Sequence, residues 1–228
     1  MISKLKAWGV TAIGTAVFFV ISAWFESDGI HLSGIEHYAE QVSPQEAKQL
    51  GFILFKSKRY SEARTFFEPA AKHGDIPSQV TLATLYYYDK NTPQHFKLAY
   101  QWFIKNSDNA LAQYYISLMY YFGDYLVRNP EKAQFWLQKA ANQSLPVAQY
   151  NLAVGYYNQR QYLEAYVWAS YARSNDFFKG NKLVKDAADN LSPQDKVLAQ
   201  QRFNTSKADH VWQSEHDSGF SALFRQVF

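Results

Sequence analysis

The 228-residue chain contains no cysteine, which excludes disulfides, thiol nucleophiles and cysteine-ligated metals but leaves its compartment open. Glycine is scarce, at ten residues, and none of them forms a G-x-G-x-x-G turn or a phosphate loop. Charge is scarce too: 19% of residues, with a net charge of +3 and no long basic run. A phosphate-neutralising stripe cannot be built from that pattern, so nucleic acid is not an expected partner. No G-x-S-x-G elbow and no H-E-x-x-H helix occurs. The six histidines, His31, His37, His73, His95, His210 and His216, show no metal-ligand spacing. His210 and His216 share a tail with Glu215, but six residues apart they do not fall on one helical face. Acidic residues fall mostly in helix first turns and on polar faces. No catalytic residue, metal site, cofactor or small-molecule substrate is expected, and the chain reads as a non-enzyme.

What the chain has instead is apolar and aromatic side chains. Apolar residues make up 47% and aromatics 18%, with 17 Tyr against 6 Trp. A core of useful size is within reach at this length, and much of the aromatic surface is amphipathic. An uncharged, strongly apolar run stands at the start, Ala7 to Phe25, close to the ~20 residues that span a bilayer core. Trp8 and Trp24 sit near its ends, Lys4 and Lys6 precede it, and Glu26 and Asp28 follow it. Those flanks predict a single-pass anchor with its N-terminus inside. The rival is a cleaved signal peptide, whose site around Ala23 would be poor, with Ile21 two residues earlier and Trp24 first in the mature chain. In either case the remainder is exported.

Downstream, the periodicity is helical throughout. Ala133, Trp136, Leu137, Ala140 and Ala141 form one apolar stripe, and Ala63, Phe66, Phe67, Ala70 and Ala71 repeat its spacing. Ala165, Trp168, Ala169 and Ala172 give it again; Ala99, Trp102 and Phe103 begin it, with Asn106 and Ser107 in place of the alanines. A different helix precedes each: Ala112, Ile116, Ser117 and Tyr120 correspond to Ala148, Leu152, Ala153 and Tyr156, to Ser78, Leu82, Ala83 and Tyr86, and to Glu46, Leu50, Gly51 and Leu54. The units step by 32, 34 and 36 residues, from Leu50 to Leu82, Ile116 and Leu152. Two helices per unit at that period indicate an all-α fold, an α-solenoid of four helix-turn-helix units. Ser43-Pro44-Gln45-Glu46 reads as a capping box, Ser192-Pro193-Gln194-Asp195 repeats it with Asp for Glu, and Thr92-Pro93 and Asn129-Pro130 are looser versions, so prolines are expected just inside helix starts.

The pattern A-x3-L-[AGS]-x2-Y, then A-x2-W-[YF]-x2-A-A, resembles the Sel-1-like repeat, a relative of the tetratricopeptide repeat. "AQYYISLMYYFGDYLVRNPEKAQFWLQKAANQS" is the best copy, with Gly123 at its turn. The fourth unit has Gln159 at that place, and the first and fourth have the shorter loop, 13 residues from Leu50 to Ala63 and from Leu152 to Ala165 against 17 in the middle two.

This reading divides the chain into a cytoplasmic stretch (1–6), the anchor (7–25), a polar linker with a turn or two of helix (26–42), four repeats (43–177), capping helices (178–203) and a tail (204–228). Leu183, Val184, Ala187 and Leu191 are expected to face inward from one capping helix, and Val197, Leu198 and Phe203 from the other. The tail ends in Phe220, Leu223, Phe224 and Val227, a short amphipathic stripe.

The resemblance also implies a function. In such repeats the first helix of each unit lines a concave surface that holds an extended peptide or a partner helix. The positions it assigns are Phe52 and Phe55 in the first unit, with Lys48 and Lys56 beside them; Thr84, Tyr87 and Tyr88 in the second; Tyr114, Leu118, Tyr121 and Phe122 in the third; and Tyr150, Val154, Tyr157 and Asn158 in the fourth. Tyrosine suits such a surface because it offers a large contact at low entropic cost. The expectation is a protein-binding scaffold in the bacterial inner membrane with its repeats in the periplasm; a soluble repeat protein released by signal cleavage is the alternative.

Overall fold

The structure, a computed structural model, describes residues 32–89 and 93–211. The described residues form eleven α-helices and one 3-10 turn: α1 (Leu32–Gln41), α2 (Pro44–Lys56), α3 (Tyr60–Lys72), α4 (Ile76–Tyr88), α5 (Pro93–Lys105), α6 (Ala110–Phe122), α7 (Pro130–Asn142), α8 (Pro146–Asn158), α9 (Tyr162–Ser174), α10 (Lys179–Asp189), α11 (Pro193–Ser206), then the turn Lys207–His210. No strand occurs among them. From α2 to α10 each helix packs on the next, α1 packs on α3, α4 also meets α6, α8 meets α10 and α9 meets α11, so the chain stacks as a helical solenoid. The anchor segment 7–25 and the Phe220–Val227 stripe lie outside the described residues. Among the described residues, no helix is long and apolar enough to cross a membrane.

Helix starts follow the chemistry of their caps. Ser43 accepts from the Glu46 amide while the Glu46 carboxylate accepts from the Ser43 amide, a complete capping box. Asn129 and Ser192 cap α7 and α11 in the same sense. Pro69 departs from the expected rule, since it lies inside α3. Its missing N–H frees the carbonyl of Thr65, a half-exposed residue, so α3 continues through it.

Tight turns place several residues in the left-handed region without a glycine. Lys58 (φ 60°) and Arg160 (φ 61°) close the helix pairs of the first and fourth repeats, so Arg160 does what Gly123 (φ 81°) does in the third. Between repeats the same backbone recurs at Gly74, Ser144 and Asp176, followed by amides of Asp75, Leu145 and Phe177 that donate to Ala70, Ala140 and Ala172.

The expected apolar stripes form the core. Ala63, Phe67, Ala70, Ala71, Ala99, Phe103, Ala112, Ile116, Ala140, Ala141 and Ala148 have no exposed surface. Alanine at these contacts lets successive helices approach closely. Asn106, at an alanine position, is buried and donates from Nδ2 to the Trp102 carbonyl (2.8 Å), which satisfies it within its own helix.

A second repeating device is polar. Gln79, Gln113 and Gln149 occupy one position in three successive first helices and are all buried. Gln79 donates to the Ala71 carbonyl (2.8 Å), Gln149 to Ala141 (3.4 Å) and Gln113 to Ser107 (2.7 Å), each at the end of the preceding helix pair. Gln143 and Asn175 then donate to the side-chain oxygens of Gln113 and Gln149. Each glutamine therefore fastens one repeat to the one before it.

Two ends differ from expectation. The linker carries a ten-residue helix, α1, which packs on the first repeat by burying Ala39 and setting Tyr38 edge-on to Phe66. In α11 it is Ala199 and Phe203 that are buried, whereas Val197 and Leu198 are exposed, 58% and 41%. The inward face of α11 is set by contact with Val167 and Tyr171 of α9, and that contact leaves Val197 and Leu198 on the far side.

Candidate partner-binding surface

The thirteen residues expected to face a partner divide by depth. Phe55, Thr84, Tyr87 and Tyr114 are buried, which corrects their assignment to an open surface. Phe55 packs against Tyr60 across the first turn. Thr84 turns its hydroxyl back to the Val80 carbonyl (2.9 Å). Tyr87 is enclosed by Phe96 and Tyr115 and donates to the Asp124 carboxylate (3.1 Å). Burial, helped by that carboxylate, drives its hydroxyl pKa far above the ordinary tyrosine value, so it stays a donor at any physiological pH. Tyr114 accepts from Asn151 Nδ2 (3.1 Å), a bond from α8 to α6 that makes it part of the joint between repeats. For Thr84, Tyr87 and Tyr114 the physical reason is common: α4 and α6 are covered nearly all round, Ser78 to Tyr87 and Ala110 to Ser117 without a break, so no exposed stripe runs along them.

What remains accessible lies toward the C-terminal ends of the first helices. Tyr88, Tyr121, Phe122 and Asn158 are exposed, and Phe52, Leu118, Tyr150, Val154 and Tyr157 are half-buried. Tyr121 and Phe122 meet edge to face at 5.0 Å. The α6–α7 loop adds two residues that the helical pattern passes over, Tyr125 and Val127. Four large side chains within seven residues are thus exposed: Tyr121 53%, Phe122 62%, Tyr125 51% and Val127 89%. A contiguous exposed apolar cluster of this kind is a feature of interaction surfaces. The signal available in sequence was the string "YFGDYLV", three large apolar residues after a helix-ending glycine, where a solvated loop would be polar. Its backbone is held in place: Tyr125 sits at φ 64°, Asn129 N donates to the Tyr120 carbonyl (2.9 Å), and Tyr125 packs on Tyr100. Arg128 donates from Nε to the Tyr121 carbonyl and lies over the Tyr121 ring.

Tyr115 is the aromatic that the repeat pattern left unassigned. It is fully buried, stacked on Phe103 at 4.9 Å, and in contact with Tyr87, Tyr88 and Tyr114. It sets the floor on which Tyr88 rests. A concavity of about 400 Å³ opens between α9 and α11 over Trp168, Tyr171 and His210, with the Glu164–Arg202 ion pair (2.6 Å) at its side. Among the described residues no group of histidine and acidic side chains is placed to hold a metal ion.

A family model, the Sel1 repeat, matches residues 48–75, 76–107, 110–145 and 146–174, which is more than half of the chain. The chain belongs to the Sel1 repeat family. Proteins of this kind generally mediate protein–protein interaction, and their fold is typically a non-catalytic scaffold. Two solved structures are similar in fold. One is a protective antigen present in uropathogenic Escherichia coli strains that displays an SLR fold, with a TM-score of 0.67 and 21% identity, covering 91% of this chain and 46% of that one. The chain therefore spans about half the length of that relative. The other is a Sel1 repeat protein from Oxalobacter formigenes, with a TM-score of 0.50 and 18% identity, covering 79% of this chain and 84% of that one. No curated protein matches the chain.

Proposed function

We propose that this Sel1 repeat protein is a membrane-anchored scaffold that grips a peptide or helix of a partner protein in the bacterial cell envelope. Segment 7–25 is the single-pass anchor, and the repeats stand in the periplasm with α10 and α11 as their cap. The grip is made by Tyr88, Tyr121, Phe122, Tyr157 and Asn158 at the ends of the first helices, joined by Tyr125 and Val127. The observation that carries this reading is the exposure of Tyr121, Phe122, Tyr125 and Val127 together, on one helix end and turn whose other apolar side chains are buried or half-buried. Aromatic anchors of this kind supply most of the energy at protein interfaces.

The test is site-specific photocrosslinking in intact cells. A crosslinker at Tyr121 or Tyr157 should give one discrete adduct, and a crosslinker at Gln134, exposed on α7, should give none. The pair Tyr121→Ala and Phe122→Ala should abolish the adduct while moving unfolding stability by less than about 1 kcal/mol, because both side chains are solvent-exposed. Adducts from Gln134 but not from Tyr121 would refute the surface. Membrane fractionation and N-terminal sequencing test the anchor, and a mature chain starting at or after Trp24 would establish the released form instead.

A further inference from the structure

The exposed cluster on α6 and its loop lies within reach of a segment of this same chain. After α11 the backbone turns back, and the His210 carbonyl accepts from Asn175 Nδ2 (2.8 Å), which also donates to Gln149 (3.0 Å). Gln149 is in the first turn of α8, so the chain at residue 210 is fixed at the N-terminal end of that helix. The Asn151–Tyr114 bond joins α8 to α6, the first helix of the preceding repeat. A 13-residue helix is ~20 Å long, a neighbouring axis lies ~10 Å away and the Asn175 relay sets residue 210 several ångströms off α8, so the C-terminal end of α6 is roughly 20–30 Å from residue 211. The nine steps from Val211 to Phe220 span at most ~30 Å. That length reaches the end of α6 but falls short of α2, three helix spacings from α8.

The sequence within that reach is complementary. Phe220, Leu223, Phe224 and Val227 form an apolar stripe with helical spacing, and the acids Glu215 and Asp217 precede it. The exposed cluster offers Tyr121, Phe122, Tyr125 and Val127 beside the guanidinium of Arg128. We infer that residues 220–227 occupy this cluster as an intramolecular stand-in for the partner, so that a partner must displace them to bind. This regulation rests on the function proposed above; the docking does not.

The absence of cysteine makes the test direct. In the full chain, Val127→Cys combined with Gln226→Cys creates one thiol pair, at a position 89% exposed and at a tail position between stripe residues. The control pair is Lys185→Cys with Gln226→Cys, on an exposed residue of α10. With oxidised glutathione as the oxidant, docking raises the effective concentration of one thiol at the other, so the first pair should close at least about tenfold faster than the control, at a rate independent of protein concentration. Adding Leu223→Ser and Phe224→Ser should remove that advantage. Equal rates for the two pairs would overturn the proposal, and so would disulfide-linked dimers that grow with concentration, because the occupant would then be a second copy. No partner is needed in the assay. If the tail docks while Tyr121→Ala and Phe122→Ala leave the cellular adduct unchanged, the function proposed above falls and the docking stands.

Discussion

His210 is held where a charged imidazole is disfavoured. Its ring lies 4.1 Å from Tyr171 and 5.3 Å from Trp168, and its Nδ1 is buried with no hydrogen-bond partner among the described residues. Burial pushes its pKa below the ordinary histidine value, and Asp209 offsets part of that. Glu164 and Arg202 flank the same hollow as an ion pair, and Lys207 lies over Phe203. With the folded value below the unfolded 6.5, the unfolded chain takes up the proton first. Stability is therefore greatest above about pH 6.5 and declines as the pH falls through that value toward the folded one. Asp75 acts in a lower window: burial would raise its pKa, but bonds from Ser78 and Lys48 outweigh that and hold it below 3.8, so its contribution is lost only in stronger acid. The thermal midpoint should drop between about pH 7.5 and pH 5.5, and His210→Phe should flatten that drop. A midpoint that holds or rises on acidification would mean that the cation gains more from the faces of Tyr171 and Trp168 than it loses by burial.

At the scale of the element, the glutamines show what a repeat pattern conceals. The alanines, leucines and aromatics of the two helix types were legible because a 3.6-residue period marks a buried face, and their positions in the core follow it. The glutamine in "AQYY" and "AQYN" looks in sequence like a solvated neighbour of a core alanine, yet it is buried because a helix end arrives from the previous repeat with a carbonyl to satisfy. Tyr114 was read as surface for the converse reason. Its helix has neighbours on nearly every side, and no single-helix periodicity reports how many helices surround it. The exposed loop residues Tyr125 and Val127 fell outside any period at all. Gln79→Leu checks the role of the ladder. It keeps the volume but leaves the Ala71 carbonyl without its buried side-chain donor, and should cost about 1–2 kcal/mol in urea unfolding. A change below about 0.5 kcal/mol, the size of an ordinary surface substitution, would show that the ladder is dispensable.

Across the whole molecule the core is not uniform. One continuous cluster runs from Ala39 through Phe67, Phe103 and Tyr115 to Leu152 and holds α1 to α8 together. Beyond it, α10 is held by a small cluster of Ala153, Ala169, Leu183 and Val184, and α11 by another of Val167, Tyr171, Ala199 and Phe203. Among the described residues, half-buried side chains such as Trp168 connect these clusters to the main one. In a stack where each unit touches mainly its neighbours, stability is a sum of local terms, and a terminal unit on a small interface opens without the rest. Gly180 shows how close that interface is, since a methyl group there would lie 2.8 Å from the Ala169 carbonyl. Amide hydrogens of α10 and α11 should therefore exchange at least about tenfold faster than those of α4 and α6, through a local opening that leaves Tyr115 packed. Uniform protection across all eleven helices would instead mean that the cap and the repeats unfold as one unit. The distinction bears on the tail, because residues 212–228 leave from the 3-10 turn packed against α9 and α11. If the cap opens, the His210 tether moves with it, and the reach from Val211 to the end of α6 is no longer fixed.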